Sequence, residues 1–528
     1  MKPRFVILAL ITILAGWLRF TATSFGLPDM FRPDEDYVVG RAWGFGDGNW
    51  NPNFAIYPAA QMYVDHLALV VYGTLKGDRA DFRQAYYSFD SVYLLVRRVS
   101  AAFGTATIPA IYFAAAPLGP ATALGASALM AAATLHVRES KYATTDAGAV
   151  FWITIGLAMI VRMARTGKGR YYFAAGLFTG FAIATKYPAG VLIPAIAVAH
   201  LEARVREGRS LWRSFRDIRI YVAGLATIVA FVCGTPYFFL DWAQTTHDYI
   251  YQRGFVVDGL PNPLATYGLR WLFLHAAPDS FGIVMMALFL AAMLWMALRP
   301  RLATWPLLAF VLVACASMTR SRYVFYRYLV FPLPALIILA AAFLADFYGL
   351  ATPNTGRRTA GVLLCATLAL LAMPSLARDI ELNRLLLRPD SRVVARDWIE
   401  RNIPPGSAIA VSDIGNLCGK PRIPPYYHWV PLEPVDALRV ANVSWVLSDS
   451  LPQIIFYSSG PTPQQEANLA AKARLVLDVN PSQPGKAPAI FDPTDAYFAP
   501  IGRISSMNRA GPRIRIWRLD PEPTAGAQ

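Results

Sequence analysis

The sequence predicts a polytopic α-helical membrane protein of about eleven transmembrane helices, followed by a small C-terminal α/β domain outside the membrane. Of the 528 residues, 55% are hydrophobic and 16% are charged, whereas a soluble domain is roughly 45–50% apolar and about 25% charged. Long runs of Ala, Leu, Val and Ile fill residues 1–380, and a polar, proline-rich stretch fills residues 381–528. These features exclude a single large soluble enzyme, a disordered protein and a disulfide-stapled secreted domain.

The formal net charge is +15, a value that nucleic-acid-binding proteins also reach. Here Lys and Arg lie mostly in short clusters between apolar runs, as they do in membrane proteins whose loop charges set the orientation. We therefore predict no nucleic-acid partner. Of the four cysteines only Cys418 lies outside an apolar run, so the sequence indicates no disulfide framework.

An apolar stretch of about 20 residues can cross the hydrocarbon core as a helix, because a helix satisfies its own backbone. The candidate stretches lie near residues 5–22, 97–117, 119–135, 147–163, 171–185, 187–201, 220–238, 281–298, 305–319, 329–349 and 361–377. The first also has features of a cleavable signal peptide, but its length and the acidic segment after it favour a span. The stretch 57–75 contains Asp65 and His66, whose charge is costly in the bilayer core, so we predict a helix in the outer interface.

The loop charges predict the orientation. With the N-terminus inside, the inner loops carry sixteen Lys and Arg residues and the short outer loops carry eight, as the positive-inside rule requires. We therefore expect a multi-pass protein of the plasma (inner) membrane with a cytoplasmic N-terminus and an extracytoplasmic C-terminal domain. The first outer loop, residues 23–96, is expected to contain interfacial helices.

The C-terminal domain carries the signals of a small α/β fold. Ser391–Asn402 has the pattern of a short amphipathic helix that ends before two prolines. Strand patterns follow at 407–413, 443–449, 474–479 and 513–519, the last with Ile514 and Ile516 facing a core. The domain has no metal-spaced Cys/His set and no Gly-rich phosphate loop, so a lid or docking role is its simplest interpretation.

Ionisable residues gather on the predicted outer side. They occur in the segments Phe31–Tyr37, His136–Asp146, Lys186–Tyr187 and Arg320–Tyr328. Each segment alone is compatible with a solvated loop or with an interfacial anchor, in which Lys and Arg snorkel and Tyr lies among headgroups. Together they combine carboxylates that can act as a general base or bind a divalent ion with cations that can hold a phosphate. That combination favours transfer of a group from a phosphorylated lipid to an acceptor hydroxyl.

The order of these segments resembles the GT-C glycosyltransferases. An N-terminal span followed at once by Pro33-Asp34-Glu35-Asp36-Tyr37 is similar to the start of glycosyltransferase family 39, which includes protein O-mannosyltransferases and the bacterial aminoarabinose transferases that act on lipid A. Further segments that look like family landmarks are Asn53–Pro58, Arg98–Gly104, Arg138–Asp146, Ala184–Tyr187 and Arg327–Pro332. The resemblance covers roughly residues 1–380.

The resemblance implies a GT-C fold and a hexosyl- or pentosyltransferase whose donor is a polyprenyl-phosphate sugar. Transfer to an acceptor hydroxyl on the outer face would invert the anomeric centre. It also implies that Asp34 is the general base, that Glu35 supports it and that Asp146 completes the acidic cluster. A third acid, Asp36, leaves open which carboxylate is the base. Some GT-C enzymes hold a divalent cation between acidic loops and others do not, so a metal on Asp34, Glu35 and Asp146 also stays open.

Charge and sidedness indicate Lys186, Arg320, Arg322 and Arg327 as candidates for binding the donor phosphate. The remaining substrate-binding candidates are Tyr37, Tyr57, His136, Arg138 and Lys141. The acceptor is open between a protein, lipid A, a glycan and another lipid. Alternative interpretations are a transporter or flippase of lipid-linked sugars and a non-catalytic envelope scaffold. Spans without central charges or internal repeats argue against the transporter, and the acidic first loop argues against the scaffold.

Reporter fusions test the predicted orientation. A reporter at Gly167 or Gly208 should give a cytoplasmic signal and one at Gly406 an extracytoplasmic signal, because the Lys- and Arg-rich loops stay inside. A paired phosphatase and fluorescent-protein reporter measures both states. A cytoplasmic signal at Gly406 would contradict the topology.

Overall fold

The computed structural model of the chain describes residues 3–76, 89–254, 268–319, 321, 324–412, 419–450, 461–493 and 499–519. The chain divides into two compact units. The first consists of Met1–Thr23 and Asp34–Ile380, and the second of Ser24–Pro33 and Glu381–Gln528. A short segment from the N-terminal part of the chain therefore belongs to the unit that the C-terminal part builds.

The first unit is helical. Its helices are α1 (Pro3–Phe20), α2 (Pro33–Gly44), α3 (Ala60–Lys76), α4 (Phe89–Ala115), α5 (Pro120–Ala131), α6 (Thr134–Glu139), α7 (Asp146–Thr166), α8 (Gly169–Thr185), α9 (Leu192–Arg206), α10 (Leu211–Phe215), α11 (Ile218–Gly234), α12 (Tyr237–Leu240), α13 (Trp242–Arg253), α14 (Gly268–Trp271), α15 (Ala277–Phe281), α16 (Ile283–Leu298), α17 (Trp305–Met318), α18 (Leu333–Thr355) and α19 (Arg357–Leu386). Pro120 and Pro306 lie in the first turns of α5 and α17, where the missing N–H of proline breaks no helical hydrogen bond.

Every apolar stretch predicted as a span coincides with a helix. Among the described residues, the helical segments long and apolar enough to cross a membrane are Pro3–Phe20, Asp90–Leu118, Asp146–Thr166, Tyr187–Arg206, Leu333–Leu350 and Arg357–Asn402. The pair Gly268–Phe281 and Ile283–Leu298, bent by 117°, adds a seventh if it forms one span. Shorter apolar helices are Pro120–Ala131, Ile218–Gly234 and Trp305–Met318. The polytopic helical class is confirmed, and the number eleven stays a prediction.

Small residues allow α8 and α11 to pack closely. A Cβ added at Gly176 would lie 2.1 Å from the carbonyl oxygen of Ala223, and one at Gly180 would lie 2.4 Å from that of Thr227. In a bilayer, helix association depends on such close contact because lipid provides no hydrophobic driving force between helices. The contact places α8, after which Lys186 follows directly.

Helix α3 occupies the stretch predicted to lie in the outer interface. Its ionisable residues Asp65 and His66 are buried within the protein. Asp65 accepts a hydrogen bond from Nε2 of Gln61 at 2.9 Å, and Nδ1 of His66 lies 2.8 Å from the carbonyl oxygen of Ala42. Burial raises the pKa of Asp65 well above its usual value, which favours the neutral acid. The interfacial position of α3 stays a prediction.

The second unit contains a small α/β fold. Its helices are α20 (Ser391–Asn402), α21 (Val435–Val440) and α22 (Pro463–Lys472), and its strands are β1 (Ala408–Val411), β2 (His428–Pro431), β3 (Trp445–Ser450), β4 (Arg474–Val479) and β5 (Arg513–Arg518). The strand order is β2-β1-β3-β5-β4. Strand β1 runs parallel to β2 and β3, and β5 runs antiparallel to β3 and β4.

The predicted elements of this unit are present. Helix α20 has the predicted bounds, and Ile514 and Ile516 of β5 pack with Ala395 and Ile399 of α20 in one core cluster. The sequence did not predict β2, because this four-residue strand has half-buried residues between exposed ends and no alternating pattern.

Candidate active site

The three consecutive acids lie in the first turn of helix α2. Carboxylates are favourable there because the N-terminal end of a helix carries a partial positive charge. Successive helical residues point about 100° apart, so the three side chains have different neighbours. The acidic segment is therefore a helix start and not the loop that the sequence suggested.

Glu35 is fully buried and forms an ion pair with Arg97 of α4. The guanidinium donates from Nε to Oε1 at 2.8 Å and from Nη2 to Oε2 at 2.7 Å. Oε1 also accepts from the Ala143 amide at 2.7 Å, and Nη1 of Arg97 donates to the carbonyl oxygen of Thr23 at 2.9 Å. Both carboxylate oxygens of Glu35 are thus occupied within the protein, which makes Glu35 an anchor.

Asp34 differs from the buried Glu35 because part of its carboxylate reaches solvent. Its side chain is 24% exposed, and Oδ2 accepts a hydrogen bond from Nη1 of Arg327 at 2.6 Å. Arg327 itself is only 8% exposed. Asp36 instead accepts a hydrogen bond from the hydroxyl of Tyr93 on α4. Asp34 is thus paired with a buried cation, and Asp36 is bonded to a buried tyrosine.

A second acid–base pair joins Asp146 and Lys186. Asp146 is the first residue of α7, and Lys186 follows the last residue of α8. Nζ of Lys186 donates to Oδ1 of Asp146 at 2.6 Å, and both side chains are largely buried. The hydroxyl of Thr144 approaches the other oxygen, Oδ2, at 3.3 Å. Because Lys186 directly follows α8, the close packing of α8 on α11 helps to fix the position of Lys186 and so of this pair.

Tyr57 lies close to both pairs. Nζ of Lys186 is 5.8 Å from the centre of the Tyr57 ring. Burial, together with the charges of Asp34 and Asp146, raises the pKa of Tyr57 well above its usual value, although Arg327 acts in the opposite direction. The structure thus brings two carboxylates, two cations and a neutral phenol into one neighbourhood.

His136 and Lys141 lie in a different cluster, at the C-terminal end of α1. Nδ1 of His136 is 2.8 Å from Nη2 of Arg19. Nζ of Lys141 donates to the carbonyl oxygens of Leu18 and Thr21 at 2.5 and 2.7 Å. Burial lowers the pKa of Lys141 to about 7. The contacts of both side chains are with the end of the first span, which indicates a packing role.

Arg138 and Tyr37 also have neighbours outside the two pairs. Arg138 is buried and hydrogen-bonded to Glu139. Tyr37 is 47% exposed and stacks on Phe54, with the ring centres 5.4 Å apart. An exposed aromatic of this kind, three residues after Asp34, is available to a substrate.

Two of the predicted phosphate-binding arginines are not described by the structure, and one arginine near the acids was not selected from the sequence. Arg320 and Arg322 lie outside the described residues. Sequence comparison selected Arg98 as the family landmark, whereas Arg97 is the residue that binds Glu35. The sequence signal for Arg97 was limited to its place at the start of an apolar run in a chain that also carries an acidic motif.

The acids do not form a shared metal-ligand set. Arg97 and the Ala143 amide occupy Glu35, while Arg327 and Lys186 bind Asp34 and Asp146 respectively. In the described part of the chain, no group of three or more His, Cys, Asp or Glu side chains is placed to hold a metal ion. The residues present do not fit a cation bound by the three predicted acids.

Comparisons with known proteins address the family. Residues 67–247 match the family model of dolichyl-phosphate-mannose-protein mannosyltransferases. The apo structure of ArnT from Cupriavidus metallidurans aligns with a TM-score of 0.50 at 16% identity, over 90% of this chain and 96% of that one. The resemblance to the GT-C glycosyltransferases is confirmed.

A second solved structure has a similar fold, whereas the comparison with curated sequences found no relative. The GT-C oligosaccharyltransferase AglB from Archaeoglobus fulgidus aligns with a TM-score of 0.49 at 12% identity, over 85% of this chain and 69% of that one. No curated protein sequence matches the chain significantly. The family match covers residues 67–247, and the likeness to ArnT shows a shared fold.

The matched GT-C region contains only part of the site. It includes Arg97, Asp146 and Lys186 but begins after Asp34 and ends before Arg327. The roles of these last two residues therefore depend on geometry alone.

Removing the Glu35 carboxylate tests its anchoring role. Glu35→Ala should lower the free energy of unfolding by about 3–5 kcal/mol, because it leaves the buried guanidinium of Arg97 unpaired. Denaturant unfolding of the protein in detergent measures the change. Glu433→Ala, at an exposed glutamate, is the matched control and should change stability by less than about 0.5 kcal/mol. Equal, small effects of the two substitutions would refute the anchor.

Proposed function

We propose that this protein transfers a sugar from a polyprenyl-phosphate donor to an acceptor hydroxyl at the outer face of the membrane, with Asp34 as the general base. The observation that carries the proposal is the pairing of the partly exposed Asp34 with the buried Arg327. A carboxylate that solvent can reach, next to a cation that solvent hardly reaches, suits a site where a hydroxyl meets a phosphate.

The second ion pair, Asp146–Lys186, provides the other cation that a donor phosphate can contact. Asp146 and Lys186 neutralise each other as Asp34 and Arg327 do. When a donor phosphate enters, its oxygens compete with the two carboxylates for the two cations. The phosphate is favoured because bidentate arginine contacts and lysine contacts both suit its oxygens. Transfer of Arg327 from Asp34 to phosphate releases a carboxylate where a base is needed.

The transfer step exchanges one bond at the anomeric carbon of the sugar for another. The acceptor hydroxyl oxygen forms a bond to the anomeric carbon while the bond from that carbon to the phosphate oxygen breaks. Asp34 accepts the hydroxyl proton, and the polyprenyl phosphate leaves as an anion stabilised by Arg327 and Lys186. Attack opposite the leaving group inverts the anomeric centre. Tyr57, kept neutral by its raised pKa, can donate a hydrogen bond within this neighbourhood.

The choice among the adjacent acids follows from the burial of Glu35 and from the partners of the two aspartates. Glu35 has no exposed surface and both oxygens are bonded, so an acceptor cannot reach it. Asp36 is exposed and accepts a hydrogen bond from Tyr93. Asp34 combines partial exposure with an ion pair to the buried Arg327. Each of these steps uses side chains of this chain alone.

The donor class is supported by this chain's own cations. ArnT from Cupriavidus metallidurans has been solved with undecaprenyl phosphate, and AglB from Archaeoglobus fulgidus with dolichol-phosphate and an inhibitory peptide. For this chain we infer a polyprenyl phosphate because two cations lie in a helical unit whose apolar helices suit a membrane-embedded lipid tail. The outer face is inferred from the loop charges.

Asp34→Asn tests the base. The amide keeps the shape of the side chain and can still accept from Arg327, but it cannot take a proton. Product formation should fall by about 100-fold or more, since general-base catalysis typically contributes 10²–10⁴-fold. Mass spectrometry of envelope lipids and glycoproteins from complemented cells measures the product.

Two neighbouring variants are the controls for Asp34→Asn. Glu35→Gln should reduce product less, and Asp36→Asn least. Loss of product in Asp36→Asn with full activity in Asp34→Asn would move the base by two residues. Normal transfer by all three variants would refute the mechanism.

Lys186→Ala and Arg327→Ala test the phosphate contacts. Each removes a charge-assisted contact worth about 1.5–3 kcal/mol, so the affinity for undecaprenyl phosphate should fall by about 10- to 100-fold. Titration of the lipid into protein in nanodiscs measures the affinity. Lys168→Ala, at an exposed lysine, should leave it unchanged. Unchanged affinity in both site variants would show that these cations serve only to pair the acids.

A further inference from the structure

The chain that enters helix α2 is built into the second unit. Ser24–Pro33 belongs with Glu381–Gln528, although the residues on either side belong to the first unit. At the two ends of this segment, Arg97 holds the carbonyl oxygen of Thr23 and the carboxylate of Glu35. We call Ser24–Pro33 the entry segment.

An ion pair holds the middle of the entry segment. Nη1 of Arg396, on α20, donates to Oδ2 of Asp29 at 2.5 Å. The side chain of Asp29 is 5% exposed and that of Arg396 is 19% exposed. Burial raises the pKa of Asp29 while Arg396 opposes the rise. A pair this well shielded is screened little by salt, and breaking it leaves a charge in a poorly hydrated place.

Two further arginines of the C-terminal part hold the residues next to Asp29. The guanidinium carbon of Arg392 lies 3.6 Å from the centre of the Phe31 ring, a cation–π contact. Asp390 orients that guanidinium through bonds of 2.8 Å to Nε and Nη2. Nη2 of Arg422 donates to the carbonyl oxygen of Met30 at 3.1 Å. Three consecutive residues are thus held, which fixes the path of the backbone.

We propose that Asp29 and Arg396 are positioning residues for Asp34, so that the C-terminal domain sets the place of the base through the entry segment. The proposal rests on the function proposed above. It assigns the domain a part in the reaction, where the sequence suggested a lid or docking module.

The distance along the chain makes this coupling direct. The five residues from Asp29 to Asp34 span at most about 18 Å when fully extended. Arg396, Arg422 and Arg392 hold Asp29, Met30 and Phe31, so only two residues separate the held part of the entry segment from Asp34. Misplacement of a reacting group by 1 Å can cost about 10²-fold in rate. Release of Asp29 would therefore reduce turnover while leaving the phosphate-binding cations in place.

The test is a charge swap. Asp29→Arg and Arg396→Asp each place two like charges together, and the double variant restores an opposite-charge pair. Arg513→Asp is the matched control, because Nε of Arg513 binds Oδ1 of Asp478 at 2.9 Å in the same unit. The proteins are full-length and reconstituted in nanodiscs.

Three measurements are made on each variant. Hydrogen exchange of peptides covering residues 34–40 reports the start of α2. Titration with undecaprenyl phosphate reports the phosphate contacts. Mass spectrometry of envelope products from complemented cells reports transfer, and Arg396→Lys serves as the conservative variant.

The proposal expects faster exchange at 34–40 and about 10²-fold less product in each single variant, with unchanged affinity for undecaprenyl phosphate. The double variant and Arg396→Lys should recover most of both losses, and Arg513→Asp should show neither. Unchanged exchange at 34–40 in both single variants overturns the proposal, as does full transfer despite faster exchange. Absence of product from the unmodified protein refutes the proposed function instead, and the exchange data still decide whether Asp29 and Arg396 hold α2.

Discussion

One buried guanidinium determines the arrangement of the site. Arg97 binds the carbonyl oxygen of Thr23 and both oxygens of Glu35, and Glu35 in turn binds the Ala143 amide. The chain after α1, the start of α2, helix α4 and the loop before α7 therefore meet at a single ion pair. Asp34 is the residue before Glu35, and Asp146 lies three residues after Ala143, so the Glu35–Arg97 pair constrains the positions of both carboxylates.

The acids of the site look equivalent in the sequence but differ in burial and in their ion-pair partners. A buried ion pair gains stability only when hydrogen bonds satisfy its remaining atoms, and the Glu35–Arg97 pair is supplied with them from two backbone groups. In the Asp34–Arg327 pair the acid is partly exposed, whereas both side chains of the Asp146–Lys186 pair are largely buried. The partly exposed acid is the one that an incoming substrate can reach.

The sequence predicted the helical membrane fold, the bounds of α20 and the acids and bases that meet at Tyr57, because hydropathy and charge are local properties. It did not predict that Glu35 is buried, since an acidic run in isolation resembles a solvated loop. It also favoured Arg98 over Arg97, because adjacent arginines on a helix differ only in the direction they face. The contacts of His136 and Lys141 with Arg19 and the end of α1 depend on packing between distant segments, which no spacing rule records.

The division of the entry segment from its neighbours has a consequence for biosynthesis. Ser24–Pro33 leaves the ribosome well before Arg392, Arg396 and Arg422, which hold it in the folded protein. Domains generally fold in the order of synthesis, yet this unit cannot close until both parts exist. During synthesis, the Arg97–Glu35 pair of the first unit can therefore form before any contact between Ser24–Pro33 and the three later arginines. Fragments that end before Arg392 would lack those later contacts.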